Sequence, residues 1–325
     1  MIKAGGARSF AAIERAKYDW FIYGLGFETR SPKIASMVDD SCKVIALKME
    51  ERRIHAYSRN AAFAAMRKHI VPATFQSFVS EVLPTIFARA KKPLRICFDI
   101  SSVNRIMLAD TIVELARLCR PTDRIDFVYC PATFQEPDWQ FPQIERIGPI
   151  NSTLSSIESD INKPLCLLLG AGFEAGISMG LVSQLEPRLS YCFWGTGIDS
   201  RFDRAVRRAN FEFEFGGFNT KPIPYNVKDP KGAFIQLESA AYGFTQGFRV
   251  ILIPMGPKVF TMLSSLLGML YVGQIAVWRV QHSRIDPADA VPGDYYISGQ
   301  LDTSMLIEFA QREKQLMNLD IERVA

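Results

Sequence analysis

The chain is predicted to be an α/β protein built as tandem duplicated Rossmann-like units, each a mainly parallel sheet flanked by helices. Three observations point to this class. Short apolar runs alternate with helical patterns, as in folds with parallel sheets. The segment Gly24-Leu25-Gly26-Phe27-Glu28 recurs as Gly170-Ala171-Gly172-Phe173-Glu174, with four of five residues identical at an offset of 146. The length of 325 residues is about two domains of ordinary size.

In chain order, the first strand is expected over 19–23, stopping at Gly24. Pro32 suits the first turn of a following helix. A second strand spans 42–47, and helical patterns cover 57–69 and 75–90. Residues 94–98 form a third strand ending on Asp99, whose loop leads into a helix from Arg105 to Cys119. Residues 125–130 close the first half.

The second half repeats the plan. A strand over 165–169 runs into the second glycine pair. Another, over 248–253, runs into Pro254-Met255-Gly256-Pro257-Lys258 and a helix to Tyr271. This second loop and helix take the place of the Asp99 loop and its helix at an offset near 154, and Pro287 follows Pro137 by 150. Prolines 142, 149 and 164 interrupt periodicity, so the join is expected at 140–164 and the lobes at 1–150 and 151–325. The tail adds a strand from Tyr295 and a charged helix over 303–316, both assigned to the second lobe. The alternating run Phe211-Glu212-Phe213-Glu214-Phe215 reads as a half-buried strand.

Composition excludes several classes. With 48% hydrophobic and 22% charged residues, the chain is too apolar to be disordered. No uninterrupted apolar stretch is long enough for a membrane helix, and the N-terminus lacks the apolar core of a signal peptide. Six scattered cysteines without a Cys-x-x-Cys pair read as buried thiols, so the protein is expected to be cytoplasmic. Three histidines without metal spacing suggest no metal site, and no cofactor is indicated. Residues 1–150 carry 22 Lys and Arg against 16 Asp and Glu, whereas 151–325 carry 16 against 18. A basic first half suits an anionic partner, whether nucleotide, nucleic acid or acidic protein.

Ligands of open α/β sheets bind beyond the carboxyl ends of the strands. The candidate loops are therefore Gly24 to Ser31 and Asp99 to Arg105. Gly24 and Gly26 would let the backbone approach a ligand. Ser101, Ser102 and Asn104 would donate to phosphate or ribose oxygens, Arg30 and Arg105 would neutralise charge, and Glu28 and Asp99 would accept from hydroxyls or amines. Ser31 completes the first loop. In the second half the polar residues are depleted, which suggests one asymmetric site with Lys258 reaching into it. Gly-x-Gly-Phe-Glu is not the full dinucleotide fingerprint Gly-x-Gly-x-x-Gly, and no Walker A sequence occurs.

The loop Asp99-Ile100-Ser101-Ser102-Val103-Asn104-Arg105-Ile106-Met107-Leu108-Ala109 resembles that of CRISPR-associated Rossmann-fold (CARF) ligand-sensing domains. These carry Asp-x-Thr-Gly-Gly-Thr-Lys-x-Met-x-x-Ala at this place. Asp99, Arg105 and Met107 align, Ser101 stands for the threonine, and Ser102-Val103-Asn104 replace Gly-Gly-Thr. Two such units resemble the related SAVED sensors of cyclic oligonucleotides. The resemblance implies a sensor or regulatory protein of prokaryotic antiviral defence that binds a nucleotide-type small molecule. Two alternatives stay open. One is an enzyme acting on a nucleotide or phosphosugar through Glu28 and Asp99. The other is a non-catalytic scaffold that holds a protein or nucleic acid through the basic first half.

Overall fold

The computed structural model describes residues 1–49, 53–137, 139, 141–155, 162–212, 220–283 and 288–324. The strands in chain order are β1 (Ile2–Ser9), β2 (Trp20–Leu25), β3 (Lys43–Lys48), β4 (Arg95–Asp99) and β5 (Arg124–Tyr129). Then follow β6 (Ile144–Pro149), β7 (Leu165–Gly170), β8 (Leu189–Thr196), β9 (Thr220–Asn226), β10 (Arg249–Pro254), β11 (Ile275–His282) and β12 (Tyr295–Leu301). The helices are α1 (Ala11–Glu14), α2 (Tyr57–Met66), α3 (Phe75–Ser77), α4 (Leu83–Arg89), α5 (Arg105–Leu118) and α6 (Ile177–Leu185). The last four are α7 (Ser200–Ala209), α8 (Pro230–Tyr242), α9 (Lys258–Leu270) and α10 (Thr303–Val324). They flank two six-stranded, mostly parallel sheets, so the chain has a Rossmann-like α/β fold.

The first sheet runs β1-β12-β5-β4-β2-β3. Its four adjacent strands from β5 to β3 are parallel, while β12 pairs antiparallel with both β5 and β1. Phe21, Ile22 and Tyr23 on β2, and Ile96, Cys97 and Phe98 on β4, are fully buried. Successive side chains point to opposite faces, so burial of consecutive residues means that both faces are covered, as parallel sheets require.

The second sheet runs β6-β11-β10-β7-β8-β9, parallel except for β6. Counted from β7, its parallel strands take the order 3-2-1-4-5 of doubly wound folds. Counted from β2, the first sheet has the same order with its third place reduced to an isolated parallel bridge between Ile45 and Ile70.

Compactness divides the chain into 1–133 with 288–325, and 134–287. The halves at 1–150 and 151–325 expected from sequence are therefore corrected in two places. The segment 144–149, expected within the join, is β6 of the second sheet; as an edge strand it tolerates Pro149 at its end. The terminal strand and helix belong to the first unit, because β12 covers the edge of β5 and α10 lies against α5. Leu306 and Phe309 of α10 are buried, and Glu313 pairs with Arg117 of α5. The strand expected over 211–215 falls mostly on residues outside those described. Phe211, which follows α7, is exposed.

All six cysteines are free and buried. Among the described residues no helix is long and apolar enough to cross a membrane.

Removing the Phe309 ring should cost the first unit about 3–5 kcal/mol, the usual range for emptying a buried aromatic site. Urea unfolding of Phe309→Ala measures it. An unchanged midpoint would mean that α10 is not part of that unit's core.

Candidate functional site

The strand order of the first sheet reverses between β2 and β4. The chain leaves β2 toward β3 on one side and leaves β4 toward β5 on the other. Such a reversal opens a crevice at the carboxyl ends, where the two connections part. Residues 26–31 and 100–104 are the two connections. They meet closely: a Cβ on Gly24 would lie 2.9 Å from the backbone C and O of Ser102 and the N of Val103. No side chain fits there, so glycine at the end of β2 sets the width of the crevice.

Glu28 and Ser102, one from each loop, are joined by a 2.6 Å hydrogen bond from Ser102 Oγ to Glu28 Oε2. Arg30 Nε donates to the same oxygen at 3.0 Å. Arg30 also donates through NH1 to Cys130 O at 3.0 Å, and its guanidinium lies over the Tyr129 ring. Its remaining exposure is only 7%, whereas the Glu28 side chain keeps 23%. Ser31 Oγ donates to Gly24 O at 2.5 Å and accepts from Gly26 N at 3.4 Å, closing the turn on itself. The loop is pinned from outside by Asp289, whose carboxylate accepts from Thr29 N and Thr29 Oγ1 at 2.7 and 2.6 Å.

Asp99 is 1% exposed. Its Oδ1 accepts from Ser101 N at 2.9 Å and from Ser101 Oγ at 2.5 Å. Ser101 Oγ in turn accepts from Cys130 N at 2.8 Å, so the second loop is tied to the end of β5. Asp99 Oδ2 is buried with no hydrogen-bond partner. Burial pushes the Asp99 carboxyl up to about 6. The Ser101 hydrogen bonds and Arg30 act against that rise, and Glu28 adds to it. Asn104 is the N-cap of α5: its Oδ1 accepts from Met107 N at 2.9 Å. Arg105, half-buried, begins that helix.

The expected site residues of the first half are thus brought together, but in two layers. Gly24, Gly26, Arg30, Ser31, Asp99 and Ser101 are buried and mostly engaged with one another and with the backbone. Glu28, Ser102, Asn104 and Arg105 keep solvent access. Lys258 is the first residue of α9, in the second unit.

The second unit repeats the close approach with different groups. A Cβ on Gly256 would come 2.3 Å from Ala171 O, and one on Gly170 would meet the Phe260 ring at 2.3 Å. The loops after β7 and β10 therefore touch through the Gly256 and Ala171 backbones, and the Phe260 ring of α9 closes on Gly170.

Two residues of this frame were not singled out from sequence. Asn60 on α2 is fully buried, and its Nδ2 donates to Gly26 O at 2.9 Å and Glu28 O at 2.8 Å. Asn210, directly after α7, donates to Gly172 O at 3.0 Å. Each asparagine therefore holds the carbonyl of the second glycine in its own unit. Their separation of 150 residues was a legible signal once the two halves were aligned.

Among the described residues no cluster of three or more His, Cys, Asp or Glu could hold a metal ion. No family model matches the chain, and no curated protein is similar to it. Solved structures overlap it weakly, three of them each with a TM-score of 0.22. A geranyl diphosphate methyltransferase in complex with GPP and sinefungin is 12% identical over 43% of this chain, which spans 61% of that protein's length. The cytoplasmic domain of a prokaryotic cation chloride cotransporter is 9% identical, over 82% of this chain and 95% of that one. Haemonchus contortus phosphoethanolamine N-methyltransferase 1 is 6% identical, over 89% and 90%. Likeness at this level carries no functional argument.

The raised Asp99 carboxyl has a signed consequence. The folded state holds its proton more tightly than the unfolded chain, so Asp99 lowers stability as pH rises from near 4 through about 6. The stability of Asp99→Asn relative to the parent should therefore increase between pH 4 and pH 7. Equal pH profiles in denaturant titrations would refute the buried, proton-holding carboxyl. Gly24→Ala should cost about 1–3 kcal/mol by overpacking. Gly148→Ala, where a Cβ meets nothing within 4 Å, is the matched control.

Proposed function

We propose that the first unit binds a nucleotide-type anionic ligand at the mouth of the β2/β4 crevice, and that the chain acts as a sensor or regulatory protein. The observation that carries the reading is the Glu28–Ser102 contact beside the start of α5. Glu28, with part of its carboxylate in solvent, is suited to accept from ribose hydroxyls or a base amine. A few residues away, the first turn of α5 presents backbone N–H groups and the positive end of the helix dipole to a phosphate, and Arg105 adds charge. Asn104 is occupied as the cap, so phosphate recognition falls to backbone N–H groups and Arg105.

The buried layer then has a positioning role. Arg30 holds the Glu28 carboxylate, while Asp99 and Ser101 hold the loop that bears Ser102. Asp99 is too enclosed to meet a substrate, which favours binding over acid–base turnover by a Glu28–Asp99 pair. The same reading treats the two units as copies of one ancestral unit of which only the first kept a polar site. The shared strand order and the matching roles of Asn60 and Asn210 support that view.

Thermal-shift titration with cyclic oligoadenylates, cyclic dinucleotides, NAD and nucleoside phosphates tests the proposal. A ligand at 100 times its Kd should stabilise the protein by about 2.7 kcal/mol. Ser102→Ala and Arg105→Ala should weaken that effect, read as the shift from each variant's own unliganded midpoint. If no compound stabilises the protein, or if both variants respond like the parent, the crevice is not the ligand site. Consumption of a ligand, lost in Glu28→Gln, would make the protein an enzyme instead.

A further inference from the structure

A second basic feature lies at the opposite end of the first sheet. An open groove of about 1210 Å³ runs along the amino ends of β3, β2 and β4. Lys17, Lys43, Arg89, Lys91, Lys92 and Arg95 line it, against only Asp19 and Glu81. Asp19 is already committed: it pairs with Lys92 at 3.0 Å and accepts from Arg95 N at 2.8 Å. Lys17, Arg89 and Lys91 are exposed and form no ion pair among the described residues. Lys17 acts on Asp39 from a distance, but like charges gathered in one groove repel one another, and an anionic occupant relieves that repulsion.

The size and layout identify the kind of occupant. Small-molecule pockets usually measure about 300–1,000 Å³ and are concave and mostly apolar. This groove is larger and open. Its cations are spread across three neighbouring strands, a span of roughly 10 Å at the spacing of a sheet. A row of cations suits a polymer with one negative charge per repeat. Between them lies Trp20, its ring beneath Lys43 Nζ at 5.1 Å, with Val82 and Ile86 forming an apolar wall. Cations combined with aromatic and apolar faces are the elements of single-strand recognition, in which phosphates meet lysines and bases stack on rings. The wall also contains a rare backbone feature. Phe78–Val82 is a turn of π-helix set between α3 and α4, and such turns concentrate at functional sites.

We infer that this groove binds single-stranded nucleic acid, independently of the ligand crevice at the carboxyl ends. Six cations less two carboxylates leave charge for about four phosphates. The binding constant for a fluorescein-labelled twelve-nucleotide oligo-uridylate should therefore fall with salt at a logarithmic slope of about −3. Fluorescence anisotropy of the full chain between 50 and 200 mM NaCl measures that slope. The triple variant Lys17→Ala/Arg89→Ala/Lys91→Ala should bind at least about tenfold more weakly, with a slope near −1. Its unfolding midpoint should stay close to the parent's, since all three side chains are exposed and form no ion pair among the described residues. Absence of saturable binding by the parent at 50 mM salt would overturn the inference, and this outcome does not depend on how the variant folds. Unchanged affinity in the folded triple variant would also overturn it. Competition by polyglutamate as effective as that by unlabelled oligo-uridylate would assign the groove to an acidic peptide and overturn it as well.

Discussion

The packing of the Gly24 backbone against the Ser102–Val103 backbone is the constraint on which the rest of the first unit's site depends. Parallel strands sit at a fixed spacing, and the connections from β2 and β4 leave the sheet in opposite directions. Only a residue without a side chain lets the two loops touch where they part. That contact brings Glu28 within hydrogen-bonding distance of Ser102 and stacks the remaining polar residues beneath them. In the second unit the corresponding contact is made through Gly256 and Ala171. The crevice is thus a property of the backbone, and its chemistry depends on which side chains surround it.

Burial of so many polar groups has a physical cost that the network largely offsets. An unpaired buried charge is strongly destabilising. Arg30 is matched by Glu28 and a carbonyl, Ser101 by Asp99 and an amide, and Asn60 by two carbonyls. Two oxygens of the network, Asn60 Oδ1 and Asp99 Oδ2, are buried without a hydrogen-bond partner, and the Asp99 carboxyl, raised by that burial, holds its proton to a higher pH. Residues that look like ligand contacts in a sequence can therefore serve one layer deeper, holding the groups that face solvent.

The two ends of the first sheet differ in kind. At the carboxyl ends, glycines and short polar side chains bring two loops into contact through internal hydrogen bonds. At the amino ends, lysines and arginines line an open groove where few carboxylates oppose them. Both draw on the positive charge counted in the first half of the sequence, but that count did not say at which end of the sheet the charge gathers.

Much of the frame was legible in the residues themselves. Buried parallel strands need unbroken apolar runs, so β2, β4, β7 and β10 stood out, and the glycine pairs marked where their loops begin. The edge strands β1 and β6 did not stand out. β1 reads Ile-Lys-Ala-Gly-Gly-Ala-Arg-Ser and is mostly exposed, and β6 carries Glu145, Arg146 and Pro149 between and beyond Ile144 and Ile147, which pack on the core, so neither shows the apolar run or alternation that would declare it. Taken singly, Asn60 did not stand out, because a buried asparagine differs from a surface one only in what surrounds it. The sequence by itself determined the α/β class, the strand–loop–helix units and the loops that form the crevice, because these follow from local patterns of apolar residues and glycine. Tertiary structure alone decided that the chain returns to its first unit through β12 and α10, and that Asp99 and Arg30 are enclosed while Glu28 keeps solvent access. It alone gathered six cations at the amino ends of three strands. These are long-range pairings, set by which edges and faces remain to be covered once the local elements have formed.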